Sequence, residues 1–317
     1  MRNLIISTVA TFALANVAAV AEYVYGGQWR RDFDEISGVA VSPVDGNVYV
    51  VDQDLHCVKC FTPNGTFRWE WGSEGMGEGQ FYHPEHVAVA SNGHVYVVDS
   101  GNDRIQYFTP TGSFVGEWGD DGTGPGEFRW PSGVAVVPNG RVYVTEYRNN
   151  RVQYFTSSGS FLGQWGEEGT GPGQFNYPDG VAVNSTGKVY VAEYGNHRVQ
   201  YFSLKGTPRG LWGTEGPGEK EFVKPMGVAV APDGSVFVAD SGNHRIQCFT
   251  STGSFLDSWG TEGFQKEEFK RPRDVALTKS GDRFYVGDTG NKRIQYYKYT
   301  EPAVLPTSLG RIKVLFE

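Results

Sequence analysis

The segment Val95-Tyr-Val-Val-Asp-Ser-Gly-Asn-Asp-Arg-Ile-Gln-Tyr-Phe108 returns five more times in the 317-residue chain, beginning at Val48, Val142, Val189, Val236 and Phe284. The steps are 47, 47, 47, 47 and 48 residues. A fixed period of this length marks a chain built from stacked copies of one unit. Each copy holds four strand-like runs. The first is Gly-Val-Ala-Val at Gly38, Gly133, Gly180 and Gly227, with variants at His86 and Asp274. It is apolar on both faces, as a strand at the centre of a ring must be. A tight turn follows through Asn92-Gly93, Asn139-Gly140 or Asp233-Gly234, dipeptides that accept the positive φ of a hairpin. Val-Tyr-Val and Arg-Ile-Gln-Tyr-Phe come next. The fourth run ends in Trp-Gly at Trp71, Trp118, Trp165, Trp212 and Trp259. Four antiparallel strands per copy form one propeller blade. The expected fold is therefore all-β, a six-bladed β-propeller spanning residues 22–297.

The strand count predicts how the ring closes. Six copies carry the first three runs, but only five carry an internal Trp-Gly strand. Tyr23-Val24-Tyr25-Gly26 stands just before the first blade, where it can supply the missing strand of blade six. Closure of this kind leaves no exposed sheet edge. Residues 298–317 are left over as a C-terminal tail, in which Arg311-Ile-Lys-Val-Leu-Phe316 could compete for the same edge.

Composition agrees with such a fold. The 43 glycines and the many aromatic residues suit short strands joined by tight turns. A formal net charge of −8 argues against general nucleic-acid binding, which needs a surplus of Lys and Arg. Residues 1–21 differ from the rest: Arg2 precedes an apolar run from Leu4 to Val20, and Ala19-Val20-Ala21 has the small-x-small form of a signal-peptidase site. The expectation is a secretory signal and an extracellular, monomeric protein without a membrane span after cleavage; an uncleaved anchor is the alternative. Cys57, Cys60 and Cys248 are an odd set. Three residues apart in a strand, Cys57 and Cys60 point to opposite faces and cannot close a disulfide.

Segments 190–202 (Tyr-Val-Ala-Glu-Tyr-Gly-Asn-His-Arg-Val-Gln-Tyr-Phe) and 238–247 (Val-Ala-Asp-Ser-Gly-Asn-His-Arg-Ile-Gln) resemble NHL repeats, as does the spacer Gly-Pro-Gly-Gln-Phe-Asn-Tyr-Pro-Asp-Gly-Val-Ala-Val at 171–183. The resemblance covers the whole chain after residue 21 and implies a six-bladed propeller without implying one activity. The secreted peptidylamidoglycolate lyases resemble the chain in fold and hold zinc through histidines that enter the first strand of three blades. The matching positions here are Ser37, Glu85, Ser132, Asp179, Met226 and Arg273, with no histidine among them; His86 lies one residue off. The NHL domain of tripartite-motif ubiquitin ligases is a second relative in kind, implying recognition of protein or RNA.

Most recurring polar residues read as framework. Asp52, Asp99, Glu146, Glu193, Asp240 and Asp288 end the second strand, and in five copies an arginine follows five residues later: Arg104, Arg151, Arg198, Arg245 and Arg293. One ligand cannot use five equivalent pairs, so bidentate pairing that ties down the Gly-Asn loop is expected. Blade one has Cys57 in place of the arginine. His197 and His244 read as exposed loop residues. His56-Cys57-x-x-Cys60 lacks a second ligand pair for zinc, and the acidic loops at Asp120 and Glu167 lack alternating carboxylates for calcium. No metal or cofactor is expected.

Function should lie where the copies differ. Aligned on the connector proline, the channel rim reads Ser37, Glu85, Ser132, Asp179, Met226, Arg273. The position before the proline adds His83, Trp130, Tyr177, Lys224 and Arg271, with Glu35 in blade one. An aromatic arc thus faces a basic arc, as for a ligand with a planar part and an anionic part; ordinary surface variation is the alternative. Two sequons, at Asn64 and Asn184, would place glycans on the opposite face. The expected function is a secreted, non-enzymatic scaffold binding a protein, peptide or small anionic ligand. A propeller lyase or hydrolase with a channel metal, and a ligase-type recognition domain, are the alternatives.

Overall fold

A computed structural model describes residues 22–300 of the chain. Six four-stranded antiparallel sheets are arranged as blades. Five are contiguous in sequence, with inner strands Ile36–Val41, Pro84–Val89, Pro131–Val136, Pro178–Val183 and Pro225–Val230 and outer strands Phe67–Trp71, Phe114–Trp118, Phe161–Trp165, Pro208–Trp212 and Phe255–Trp259. The sixth runs outward through Pro272–Leu277, Arg283–Asp288 and Arg293–Thr300, and its outer strand is Glu22–Trp29. Closure by the N-terminal strand is thus present, with Glu22 opposite Thr300 and Trp29 opposite Ile294.

The closing strand is longer than Tyr23–Gly26, and its last residue shows why. Trp71, Trp118, Trp165 and Trp212 each end an outer strand and cover a turn glycine of the next blade, at Gly112, Gly159, Gly206 and Gly253. Trp29 covers Gly65 of blade one in the same way. It is the sixth tryptophan of the set, hidden in the sequence because Arg30 replaces the usual glycine. A Cβ on Gly65 would meet the Trp29 indole at 2.5 Å, and φ there is +86°; only glycine meets both demands.

The cores lie between neighbouring blades rather than inside one sheet. Phe81, Phe108, Tyr49 and Val97 close one such layer, and Phe128, Phe155, Tyr96 and Val144 the next. Cys57, Cys60 and Cys248 are buried free thiols, and burial pushes each up to about 12, so none is a reactive thiolate near neutrality.

The carboxylate–arginine pairs are buried, and their geometry depends on side-chain length. Arg151 and Arg198 grip Glu146 and Glu193 with both Nε and Nη2, at 2.5–2.6 and 3.3 Å. Arg104, Arg245 and Arg293 reach the shorter Asp99, Asp240 and Asp288 through Nε alone. Bidentate pairing is therefore confined to the two glutamate blades. In all five pairs guanidinium hydrogens also go to carbonyls of the incoming connector, as in Arg104 to Gly77 and Gln80 and Arg151 to Gly124 and Glu127, so each pair pins a whole connector and not only the Gly-Asn loop. In blade one Lys59 fills the gap left by Cys57, with Nζ 3.2 Å from Asp52 and 2.9 Å from the Asp32 carbonyl.

His197 and His244 are not idle loop residues. Their Nδ1 atoms accept the backbone N–H of Lys224 and Arg271 at 3.1 and 2.9 Å, as Asp103 and Asn150 do for Trp130 and Tyr177 at 2.6 and 2.8 Å. The residues so held precede the connector prolines with φ between 47° and 54°, a left-handed conformation that costs a side-chain-bearing residue of order 1–3 kcal/mol. An acceptor from the preceding blade offsets that cost. The position before the framework arginine therefore takes Asp, Asn or His in blades two to five for one reason, since each presents a lone pair; blade six has Lys292 there, paired with Asp34 instead.

The secretory reading of residues 1–21 and the tail run Arg311–Phe316 lie outside the described residues. No described helix is long and apolar enough to cross a membrane.

Candidate functional site

The six rim positions converge on the channel axis, because each follows the first residue of an inner strand. They divide into two groups. Ser37 and Ser132 are buried and donate to the Pro84 and Pro178 carbonyls of the next blade, both at 2.9 Å. They seal neighbouring inner strands together. Glu85, Asp179, Met226 and Arg273 face open space and, with Ser132, line a cavity of about 310 Å³.

Arg273 does not await an anion. Its Nη2 reaches Glu85 Oε2 at 2.5 Å, and its Nη1 reaches Gln53 Oε1 at 2.8 Å and Glu35 Oε1 at 3.3 Å. Gln53 in turn donates to Glu85 Oε1 at 2.8 Å. The guanidinium is an internal brace joining blades six, one and two.

One layer deeper, His86 and Asp274 replace the glycine of the other four inner strands. Nε2 of His86 lies 3.3 Å from Asp274 Oδ2, which also accepts the Val39 N–H at 2.7 Å. Nδ1 of His86 accepts the Val134 N–H at 3.4 Å. Burial disfavours the imidazolium, Asp274 favours it, and the net effect raises the His86 pKa. Both ring nitrogens have partners, so this pair braces blade one between its neighbours. His86 was not alone in the sequence; its partner stood 188 residues away.

The other side of the mouth is built differently. The position following the strand-ending carboxylate is Gln53, Ser100, Tyr147, Tyr194, Ser241 and Thr289. Ser100 and Thr289 donate to the next blade's inner-strand carbonyl, Pro131 and Ile36 respectively. Tyr147 and Tyr194 instead carry large rings into the cavity wall. The next residue is glycine in four blades and Arg148 in blade three. Glycine is needed there because a Cβ on Gly101 or Gly195 would lie within 2.6 Å of the connector. At Arg148 the corresponding N–H···O contact lengthens to 3.4 Å, against 2.8–3.0 Å at the glycines. Blade three gives up a framework contact and gains a guanidinium 4.8 Å above the Trp130 ring.

Asp179 sits on this side. It lines the cavity with Glu85, Tyr147, Tyr194 and Trp130, and among the described residues its carboxylate accepts no hydrogen bond. Burial and the Glu85 charge push its pKa up to about 7, against the opposing pull of Arg273 and His86. Nearby, burial lifts the Tyr147 phenol to about 12.

The remaining candidates frame this cavity unevenly. Trp130 lines it, and exposed Tyr177 stacks on Tyr147 at 4.5 Å in an open groove shared with Arg148. Lys224 and Arg271 line an adjoining hollow of about 260 Å³ that shares Tyr194, Met226 and Arg273 with the first; Lys224 lies 5.3 Å over Tyr194. His83 lies apart from these cavities and packs on His56 and Tyr82. Exposed Asn64 accepts from Arg283 at 2.9 Å, whereas the Asn184 side-chain oxygen is committed to its own turn. Sequence reasoning missed Tyr147, Tyr194 and Arg148. Aligning the copies one and two residues after the strand-ending carboxylate would have found them.

Zinc of the lyase kind does not fit the donor set at this mouth. Glu85 is bound to Arg273, whose guanidinium occupies the same space, and no three His, Cys, Asp or Glu side chains of the described residues converge as a metal site.

The NHL repeat model matches residues 81–108, 128–155, 175–202, 222–249 and 269–297. No curated protein sequence matches the chain significantly. Among solved structures, the chain is similar to a streptogramin B lyase (14% identity, TM-score 0.62, covering 89% of this chain and 99% of that one). It is also similar to a gluconolactonase of Xanthomonas campestris (13% identity, TM-score 0.65, 89% and 92% covered) and to a virginiamycin B lyase of Staphylococcus aureus solved with quinupristin (17% identity, TM-score 0.59, 90% and 89% covered). At these identities the likeness is one of fold. The five matched repeats and the six-bladed ring together identify the chain as an NHL-repeat β-propeller.

Proposed function

We propose that the protein is a ligand-binding module that acts through the channel mouth at blades three and four, and that it is secreted by way of residues 1–21. One observation carries this reading. The framework rule is broken at Tyr147, Arg148 and Tyr194, and all three side chains line a single cavity. Departures from a local rule that gather at one place are the mark of a functional site. The cavity is at the small end of ligand pockets. It suits a planar or apolar group of a peptide or small molecule against Trp130, Tyr147 and Tyr194, while Arg148, Lys224 and Arg271 offer cations to an anionic group at the rim. Arg273 belongs to the brace instead. To test this, the wild-type chain and a Tyr147→Ala/Tyr194→Ala variant are passed over immobilised peptide and small-molecule libraries. Ligands retained by wild type and lost by an equally stable variant support the site; equal retention removes it.

A second reading follows from Asp179, a carboxyl half-ionised near neutrality inside a cavity, which is the tuning a proton-transfer catalyst needs. Streptogramin lyase and gluconolactonase, named among the similar structures, are enzymes. Turnover of gluconolactone or of a streptogramin such as quinupristin, with a pH–rate inflection near 7 that Asp179→Asn removes, would establish this reading over the first.

A further inference from the structure

We propose that the cavity takes the free ammonium group of its ligand, seated on the Asp179 carboxylate between Tyr147 and Tyr194. The inference rests on the channel mouth being the binding site and names the chemistry of its inner end. Each other carboxylate at the mouth has a cationic partner within the protein. Glu35 and Glu85 share Arg273, and Asp274 is paired with His86 and the Val39 N–H. Asp179 is left with none, although it is enclosed and lines the cavity. An enclosed carboxylate without a partner must hold a proton or meet a cation.

The surroundings select among cations. Glu85 and Asp274 add negative potential at Asp179, and Arg273 and His86 offset part of it; three carboxylates against one guanidinium and one imidazole leave the inner end unfavourable to an anion. The aromatic walls favour an organic ammonium over a bare metal ion. The groups facing Asp179 are Glu85 and His86 of blade two, Tyr147 and Arg148 of blade three, Tyr194 of its own blade, and Arg273 and Asp274 of blade six. Arg148 stands over Trp130, and Lys224 over Tyr194. The well is therefore negative at its floor and positive at its rim. A ligand with an inward ammonium and an outward anionic group matches that order. A small zwitterion or the N-terminus of a peptide carries such a pair.

Titration calorimetry on the full chain tests the assignment with four probes: 2-phenylethylammonium, 3-phenylpropionate, and a Phe-Glu dipeptide with a free or an acetylated N-terminus. The ammonium and free-amine probes should bind; between pH 6 and pH 8 the affinity of 2-phenylethylammonium should rise about tenfold as Asp179 loses its proton, and that of the free dipeptide only about threefold, because its α-amino group is itself deprotonating. At pH 8 Asp179→Asn should weaken both at least tenfold, and it should abolish the rise of affinity with pH. Whichever binds more tightly, small amine or dipeptide, identifies the source. Equal or tighter binding of phenylpropionate or the acetylated dipeptide overturns the ammonium assignment, as does unchanged affinity in Asp179→Asn. If such binding is still lost in Tyr147→Ala/Tyr194→Ala, the mouth remains the site and only the ligand chemistry is wrong.

Discussion

The channel mouth has two halves built on opposite principles. On the side of blades six, one and two, Glu35, Gln53 and Glu85 share the two terminal nitrogens of the Arg273 guanidinium, with His86 and Asp274 cross-bracing the layer below. On the side of blades three and four, aromatic rings surround a carboxylate that nothing satisfies. The same six-fold framework therefore carries paired charges at one half and an unpaired carboxylate at the other. A symmetric ring does this with few substitutions, because any one position can change while its five counterparts keep the backbone in place.

The comparison is most severely tested at the braced half, where blade six is also completed by the closing strand. Deleting residues 22–29 removes Trp29 from Gly65 and exposes the edge of Arg293–Thr300. Loss of the cooperative melt is the expected result. A chain that still melts as one unit would show that closure is not what holds the ring. Arg273→Met comes next. It leaves Glu35 and Glu85 without their cation, and breaking such an enclosed pair costs about 3 kcal/mol or more. Chemical denaturation should register that loss, and a change within 0.5 kcal/mol would mean that the brace is ornamental.

The open half predicts the reverse sign. Asp179 is held near pKa 7 in the fold, well above the ordinary 3.9 of an unfolded aspartate. Between these values the folded state binds more protons than the unfolded chain. Stability should therefore fall as pH rises from about 4 to 7 and level off above it. At 1.36 kcal/mol per pKa unit the effect is on the order of 4 kcal/mol. Asp179→Asn should remove this component and be more stable than wild type at pH 8. His86 has a raised pKa; it too loses stability as pH rises, above its ordinary range, and it remains in the variant as the control.

What could be read from the sequence follows from where repetition helps. Blade number, strand order and N-terminal closure were legible because each copy repeats the same pattern of Gly-Val-Ala-Val, hairpin glycine and Trp-Gly. The rim positions were legible because a connector proline aligns them. Repetition does not reveal which unlike residues meet across the axis. Arg273 read as a ligand group because Glu85 and Glu35 lie 188 and 238 residues away in sequence. His197 and His244 read as loose loop residues because their partners are backbone N–H groups of the next blade, which no side-chain pattern records. Tyr147 and Tyr194 sit one residue beyond the motif that framed the comparison.

The smallest expected effect is also the sharpest, because it repairs the open half to match its siblings. Tyr147→Ser, Arg148→Gly and Tyr194→Ser restore the residues found in blades two and five. The serines can donate to Pro178 and Pro225 as Ser100 does to Pro131, and glycine relieves the lengthened contact at Arg148. Each repair of this kind adds about 0.5 kcal/mol or more, against which stands the loss of stacking between Tyr147 and Tyr177. A net gain of about 1 kcal/mol in denaturant, with ligand retention abolished, is the expected outcome. A gain in stability with retention intact would move function elsewhere on the ring. A loss of stability would show that the aromatic residues of blades three and four are themselves framework, and the two halves would then differ in residues but not in purpose.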